Sequence, residues 1–210
     1  MVNVVAFNGS PRKNGNTALL LRRCLNILEE EGLETKFVQV GGSNIHGCRA
    51  CLACRKRELS HCVMDDDPLN LWLDDMQKAD AILLGSPTYF WSVSAEMKAL
   101  MERAGLVARG ALRRGEARGM FFGKVGAALT SYYRSGSVHT IECMHAFFHA
   151  TQMIVPGNIY WAQAQDVSNG QDMRAVAMDA DGLRYVDELG RSVAWLVKKL
   201  HAGEPQTSRI

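Results

Sequence analysis

Two segments of this 210-residue chain carry residue types and spacings that do chemistry. The first is Cys48, Cys51, Cys54 and Cys62, spaced C-x2-C-x2-C-x7-C. Three thiolates at this spacing surround one small volume, and a fourth from the following loop closes a tetrahedron. A [4Fe–4S] cluster, a thiol or disulfide relay, and a zinc ion are all open to such a set, beside the plainer reading of free thiols packed in a loop. The second segment is residues 9–17, G-S-P-R-K-N-G-N-T, between an apolar run at residues 2–7 and an apolar-periodic run that begins at Leu19. A strand that ends, a loop of small and hydroxyl residues, and a helix that begins together make an anion site. The first N–H groups of a helix have no intrahelical partner and point along its dipole. Ser10, Asn16 and Thr17 add side-chain donors, and Arg12 and Lys13 add charge.

The loop lacks the Lys that a G-x-x-x-x-G-K-[ST] motif needs, because Asn16 follows Gly15. It also fails G-x-G-x-x-G, which would need glycine at Pro11. ATP and a Rossmann-bound dinucleotide are therefore disfavoured. A loop rich in Ser, Thr and Asn suits a terminal monophosphate that is held and not transferred. The plainer alternative is an ordinary helix capped by Asn14 or Asn16.

The phrase N-G-S-P-R-K-N-G-N-T resembles the phosphate loop of the flavodoxin-like NADPH-dependent FMN reductase family, including its iron–sulfur flavoprotein branch. Two further segments carry the same likeness. Residues 85–91 read G-S-P-T-Y-F-W before a helix containing Met97-Lys98, and they are similar to the isoalloxazine loop of that family. The cysteine spacing resembles the compact motif of the iron–sulfur branch. The resemblance covers most of residues 1–155. It implies FMN as cofactor, NAD(P)H or ferredoxin as electron donor, and a quinone, a free flavin or a protein as acceptor. It also implies a [4Fe–4S] cluster on Cys48, Cys51, Cys54 and Cys62, and a homodimer or homotetramer. A flavin electron carrier or thiol-based redox sensor without turnover is the alternative.

In an open α/β sheet, ligands sit at the carboxyl ends of the strands where strand order reverses. The loops there must position the chemistry. After the first strand comes the phosphate loop. After the third come Pro87, which fixes the backbone, Thr88, which can hydrogen-bond, and the rings of Tyr89, Phe90 and Trp91. After the fourth come Ser131, Tyr132, Tyr133 and Gly136. A flat polar heterocycle needs apolar faces and polar groups at its edge, and these loops offer both. The flavin carries its own redox chemistry, so no side chain is named as catalytic.

The elements that hold these loops follow from periodicity. Strands are expected at residues 2–7, 34–40, 80–85, 124–130 and 153–160, and helices at 15–31, 69–77, 92–107, 137–151 and 183–201. Apolar strands alternating with helices indicate an α/β fold with a parallel sheet covered on both faces. The flavodoxin-like doubly wound order 2-1-3-4-5 is the expected one, as a single domain over residues 1–210. Residues 41–67 form the cysteine-rich loop. Residues 108–123 carry Arg109, Arg113, Arg114 and Arg118, facing a nicotinamide 2′-phosphate, a subunit or solvent. Residues 162–182 read as a lid or an oligomer contact. Asp65, Asp66 and Asp67 read as a solvated turn, with Asp67 capping the next helix.

Composition narrows the classes. The net charge of +2 gives no reason to expect nucleic acid, and the apolar runs are too short to span a membrane. The chain opens directly into a strand rather than a secretory leader. Six cysteines, four of them crowded, do not resemble a secreted disulfide framework, so a cytoplasmic setting is expected.

Overall fold

Central strands of this chain lack polar alternation because both of their faces are covered. Val5 and Phe7 enter one apolar cluster, and Val4 and Ala6 enter the other. Ile82 and Leu84 divide from Ala81 and Leu83 in the same way. Period-two side chains on a strand make this split inevitable once helices pack on both sides. The structure is a computed structural model that describes residues 3–57, 59–113, 115–168 and 172–202. Val2, Arg114 and residues 169–171, which the expectations include, lie outside the described residues, as do residues 203–210.

The sheet comprises β1 (Asn3–Asn8), β2 (Glu34–Gln39), β3 (Ala81–Pro87), β4 (Val125–Tyr132) and β5 (Ala162–Gln165). All pairings are parallel and the order is β2-β1-β3-β4-β5, the flavodoxin-like arrangement. The helices are α1 (Asn16–Glu30), α2 (Ala53–Lys56), α3 (Leu69–Lys78), α4 (Ala95–Ala108), α5 (Gly110–Arg113), α6 (Ser137–Ala150) and α7 (Ala180–Ala202), with a 3-10 turn at Ala175–Met178. Residues of α1 and α7 fill one face of the sheet, and residues of α3, α4 and α6 fill the other.

One expected strand is misplaced. Within residues 153–160, Ile154 makes a single parallel bridge to Val125, and the chain then leaves the sheet at Pro156-Gly157. Proline cannot donate to a ladder, so it ends pairing there. The fifth strand forms later, when Ala162 pairs with Leu129 at the far end of β4. The stretch expected as a lid or oligomer contact at 162–182 thus opens as the fifth strand. Helix α4 also starts later than expected, because Ser92 belongs to a turn and Ser94 caps the helix with its Oγ 3.3 Å from the Met97 N–H.

Asp67 is not a solvated turn residue. Its side chain has no exposure and it pairs with Arg103 of α4, which is 1% exposed. It also accepts from the His46 and Leu69 N–H groups at 3.1 Å. A buried cation and a buried anion need each other, since either alone would cost several kcal/mol of lost hydration.

Candidate functional site

The loop after β1 is held by its neighbours. Gln39 Nε2 donates to the carbonyls of Ser10 and Gly41 at 2.7 Å, and the Gly41 N–H donates to Asn8 O at 2.9 Å. The contact is so close that a Cβ on Gly41 would lie 2.2 Å from the Ser10 carbonyl carbon. Gly41→Ala is therefore expected to push the loop aside and to cost about 1–3 kcal/mol, as overpacking does. The chemical denaturation midpoint checks this, and an unchanged midpoint would contradict the contact.

Within the loop, the Gly15 N–H donates to Arg12 O and the Leu19 N–H donates to Gly15 O, the first bond of α1. The N–H groups of Asn16, Thr17 and Ala18 precede that bond and head the helix. Gly15 is the N-cap and gives no side-chain cap, so neither Asn14 nor Asn16 caps it. Ser10 Oγ accepts from the Arg12 N–H at 3.2 Å, which leaves its own hydrogen free to donate. Thr17 Oγ1 and Ser131 Oγ lie 2.8 Å apart, tying the loop to the end of β4.

One cleft at the carboxyl ends of the strands is lined by Ser10, Arg12, Asn16, Thr17, Pro87, Thr88, Tyr89, Ser131, Tyr132, Tyr133 and Asp166. Nine of the expected site residues therefore meet in one place. Three do not line it. Phe90 is 94% exposed and Trp91 is 59% exposed. Gly136, at φ +90°, sits where a Cβ would strike the Trp91 ring at 2.6 Å. Phe90 and Trp91 form the centre of a tight turn closed by reciprocal bonds between Tyr89 and Ser92 at 2.9 and 3.0 Å. Both have positive φ, 46° and 61°, where glycine or asparagine is usual.

Asp166 was not foreseen. It carries no motif, and the pairing of Tyr132 with Gln165 brings it to the cleft. Its Oδ2 accepts from Asn16 Nδ2 at 3.1 Å, and Asn16 Oδ1 accepts from the Val176 N–H at 3.4 Å. The Asn16 side chain is thus committed to the segment after β5 and is less available to an anion than expected. Thr88 is also engaged. Its N–H donates to Ser131 O at 2.9 Å, and its hydroxyl accepts from Thr140 at 3.0 Å. Burial, with the charge of Asp179 adding, pushes the Tyr132 hydroxyl pKa upward, so that group stays protonated.

The donor set fits a phosphate-bearing cofactor. Ser10, Arg12, Asn16 and Thr17 line the cleft at the head of α1, and Tyr89, Tyr132 and Tyr133 line it too.

The four clustered cysteines line a second cavity, walled by Leu52, Val63, Met64, Leu106 and Val107 and touched by Arg49 and Arg103. Asn70 of α3 fixes Cys62, accepting from its N–H at 2.9 Å and donating to its carbonyl at 3.0 Å. The Cys48 N–H donates to Glu102 at 3.4 Å. Burial first, then the charges of Cys62, Cys51 and Cys48, raise the Cys54 thiol pKa, so the four sulfurs feel one another. This cavity shares no lining residue with the cleft. Arg103 lies nine residues beyond the Ser94 cap, about 13 Å along α4. The four cysteines therefore do not line the cleft of their own chain.

Four thiols around one largely apolar cavity fit an iron–sulfur cluster. Among the described residues, no three Cys, His, Asp or Glu side chains converge tightly enough for one metal ion. All six cysteines are free thiols. Burial, with the charge of Asp187 adding, pushes Cys24 up to about 12, whereas Cys51 is exposed. In metal-free protein at pH 8, an alkylating reagent is expected to modify Cys51 at least tenfold faster than Cys24, read by peptide mass spectrometry. Equal rates would contradict the two burials.

Among the described residues, the remaining titratable groups make no further centre. His61 pairs with Asp74 at 2.7 Å and His139 with Glu142 at 3.3 Å. Arg118 stacks over Phe122 at 4.6 Å beside Lys124, which precedes β4, so it stands at the opposite end of the strands from the cleft. That end is removed by the eight residues of β4, about 26 Å, which takes Arg118 away from a nicotinamide 2′-phosphate bound at the cleft.

The family model described as NADPH-dependent FMN reductase matches residues 2–167. The chain is 35% identical over 198 residues to an iron–sulfur flavoprotein of Methanocaldococcus jannaschii, covering 94% of this chain and 98% of that one. It is 37% identical over 202 residues to an iron–sulfur flavoprotein of Archaeoglobus fulgidus, with the same coverages, 94% and 98%. Among solved structures, a flavodoxin described as a WrbA-like protein from Agrobacterium tumefaciens superposes with a TM-score of 0.65. That match is 15% identical, covers 95% of this chain and 99% of the other, and establishes the fold alone.

Proposed function

The chain belongs to the NADPH-dependent FMN reductase family, and we propose that it is an FMN oxidoreductase that also carries a [4Fe–4S] cluster on Cys48, Cys51, Cys54 and Cys62. The observation that carries this reading is the pair of sites on one chain: a cleft headed by a helix N-terminus, and a cavity lined by four thiols. The names of the two iron–sulfur flavoproteins above support the second half.

When bound, the flavin would supply two-electron exchange with a nicotinamide and one-electron exchange with a cluster. The chain supplies the rest. The N–H groups of Asn16, Thr17 and Ala18, the Ser10 hydroxyl and Arg12 would hold the phosphate. The Thr17–Ser131 contact fixes that anchor to the sheet. Tyr89, Tyr132 and Tyr133 line the same cleft with Pro87 and Thr88, and would pack against the flavin ring system. Electrons come from NAD(P)H or ferredoxin and leave to a quinone, a flavin or a protein.

Anaerobically purified protein is expected to show two visible flavin bands over a broad absorption that dithionite bleaches. It should also oxidise NADPH when menadione is supplied. Visible absorption without flavin bands would overturn the reading. Flavin without turnover would favour a carrier.

The Phe90–Trp91 turn bears on assembly. Two non-glycine residues at positive φ cost about 1–3 kcal/mol each and persist where the surroundings or function demand them. They present two exposed aromatic rings next to the cleft wall at Tyr89. We take this face as the one a second copy covers, in a dimer or tetramer. Light scattering of FMN-bound protein at micromolar concentration should give two or four chain masses, and one chain mass would refute it.

A further inference from the structure

Arg103 is a guanidinium with 1% exposure that lines the cysteine cavity. Its Nη1 donates to the Asp67 carboxylate and, at 3.3 Å, to His46 O, while its Nη2 donates to Met64 O at 2.9 Å. Its Nε–H is buried with no hydrogen-bond partner among the described residues. A buried donor left unmade costs about 1–3 kcal/mol, so such a group asks what it is aimed at. Arg103 and Cys62 line the same cavity, and an arginine side chain keeps its charge at any physiological pH. The ion pair is neutral overall, but of its two members only Arg103 lines the cysteine cavity, so the positive end is the one that faces it.

We propose that Arg103 is the fixed counter-charge of the four-cysteine site, placed to stabilise the reduced form of an iron–sulfur cluster bound there. The proposal rests on the cluster reading above. A cluster ligated by four thiolates is anionic. Gaining one electron from the flavin, with no proton taken up and no bond broken, adds one more negative charge. A cation held beside the sulfurs in a low-dielectric cavity favours that added charge and raises the reduction potential. The free Nε–H is the donor such a sulfur would accept from, and hydrogen bonds to cluster sulfurs act in the same direction. Arg103 is thus a positioning and tuning residue. It ligates nothing itself. A purely structural account, in which Arg103 only pins the loop through Asp67, explains the Nη bonds and leaves the Nε unexplained.

Three variants separate the two accounts in the full-length holoprotein: Arg103→Lys, Arg103→Gln, and Arg103→Gln combined with Asp67→Asn. The last leaves no unpaired carboxylate in the interior and guards against a simple folding failure. Iron, sulfide and FMN are assayed first, and anaerobic spectroelectrochemistry then gives the cluster and flavin potentials. We expect Arg103→Gln, alone or in the double variant, to shift the cluster equilibrium about tenfold toward the oxidised form, about 59 mV for one electron. The flavin couple should stay put, and Arg103→Lys should restore most of the shift. Iron lost from the neutral variants but kept in Arg103→Lys would equally support the counter-charge. An unchanged cluster potential in iron-replete neutral variants, or iron lost from all three, overturns the proposal and leaves the cluster reading standing. Reconstituted wild type without iron removes both.

Discussion

Replacing Cys51 with Ser is expected to remove most of the iron from anaerobically prepared protein and to leave the flavin in place. Ligands of one cluster act as a unit, because an incomplete thiolate set exposes the iron to solvent and exchange. Cys48, Cys51, Cys54 and Cys62 line one cavity, whereas the cleft is built from other residues altogether. Loss of the cluster therefore need not disturb the flavin. Cys24→Ser and Cys143→Ser are the controls, since Cys24 is packed under α7 and Cys143 lies on α6. Iron kept at the wild-type level in Cys51→Ser, or lost from the Cys143→Ser control, would show that the four cysteines do not act together.

The second large effect concerns the phosphate. Arg12→Ala with Thr17→Ala is expected to weaken FMN about 100-fold, and riboflavin by no more than about threefold. Each hydrogen bond to a charged oxygen contributes about 1.5–3 kcal/mol, and riboflavin has no phosphate to lose it from. Thr17 is 1% exposed and meets Ser131, so its removal acts where the loop joins β4. Asn16 is a weaker target, because its amide is already held by Asp166 and the Val176 N–H. Fluorescence titration of apoprotein with both flavins reads the two affinities. Equal losses would place the phosphate elsewhere.

Much of this was legible in the residues. Strand–loop–helix context placed the loop at the head of α1, and apolar runs without alternation gave the parallel sheet and its order. The strand-end rule also gathers Ser10, Thr17, Pro87, Tyr89, Ser131 and Tyr132 at one cleft, where the structure has them, because it depends only on chain order and handedness. What failed depended on long-range partners. The apolar run at 153–160 looked like a strand, but Pro156 and Gly157 turn it out, and β5 is the polar A-Q-A-Q that no hydrophobic pattern marks. Asp166 reaches the cleft only through that strand. Asp67 looked solvated among three aspartates because Arg103, its partner 36 residues away, cannot be paired with it from sequence. Of the three consecutive aromatics only Tyr89 lines the cleft, since a left-handed turn sends Phe90 and Trp91 outward.

The central claim is that one chain carries both a flavin and a cluster. It is tested most directly by measuring iron, acid-labile sulfide and FMN per chain in anaerobically purified, reconstituted wild type. The account predicts one FMN with about four iron and four sulfide. One FMN with no iron, and all four clustered cysteines titrating as free thiols, would contradict it.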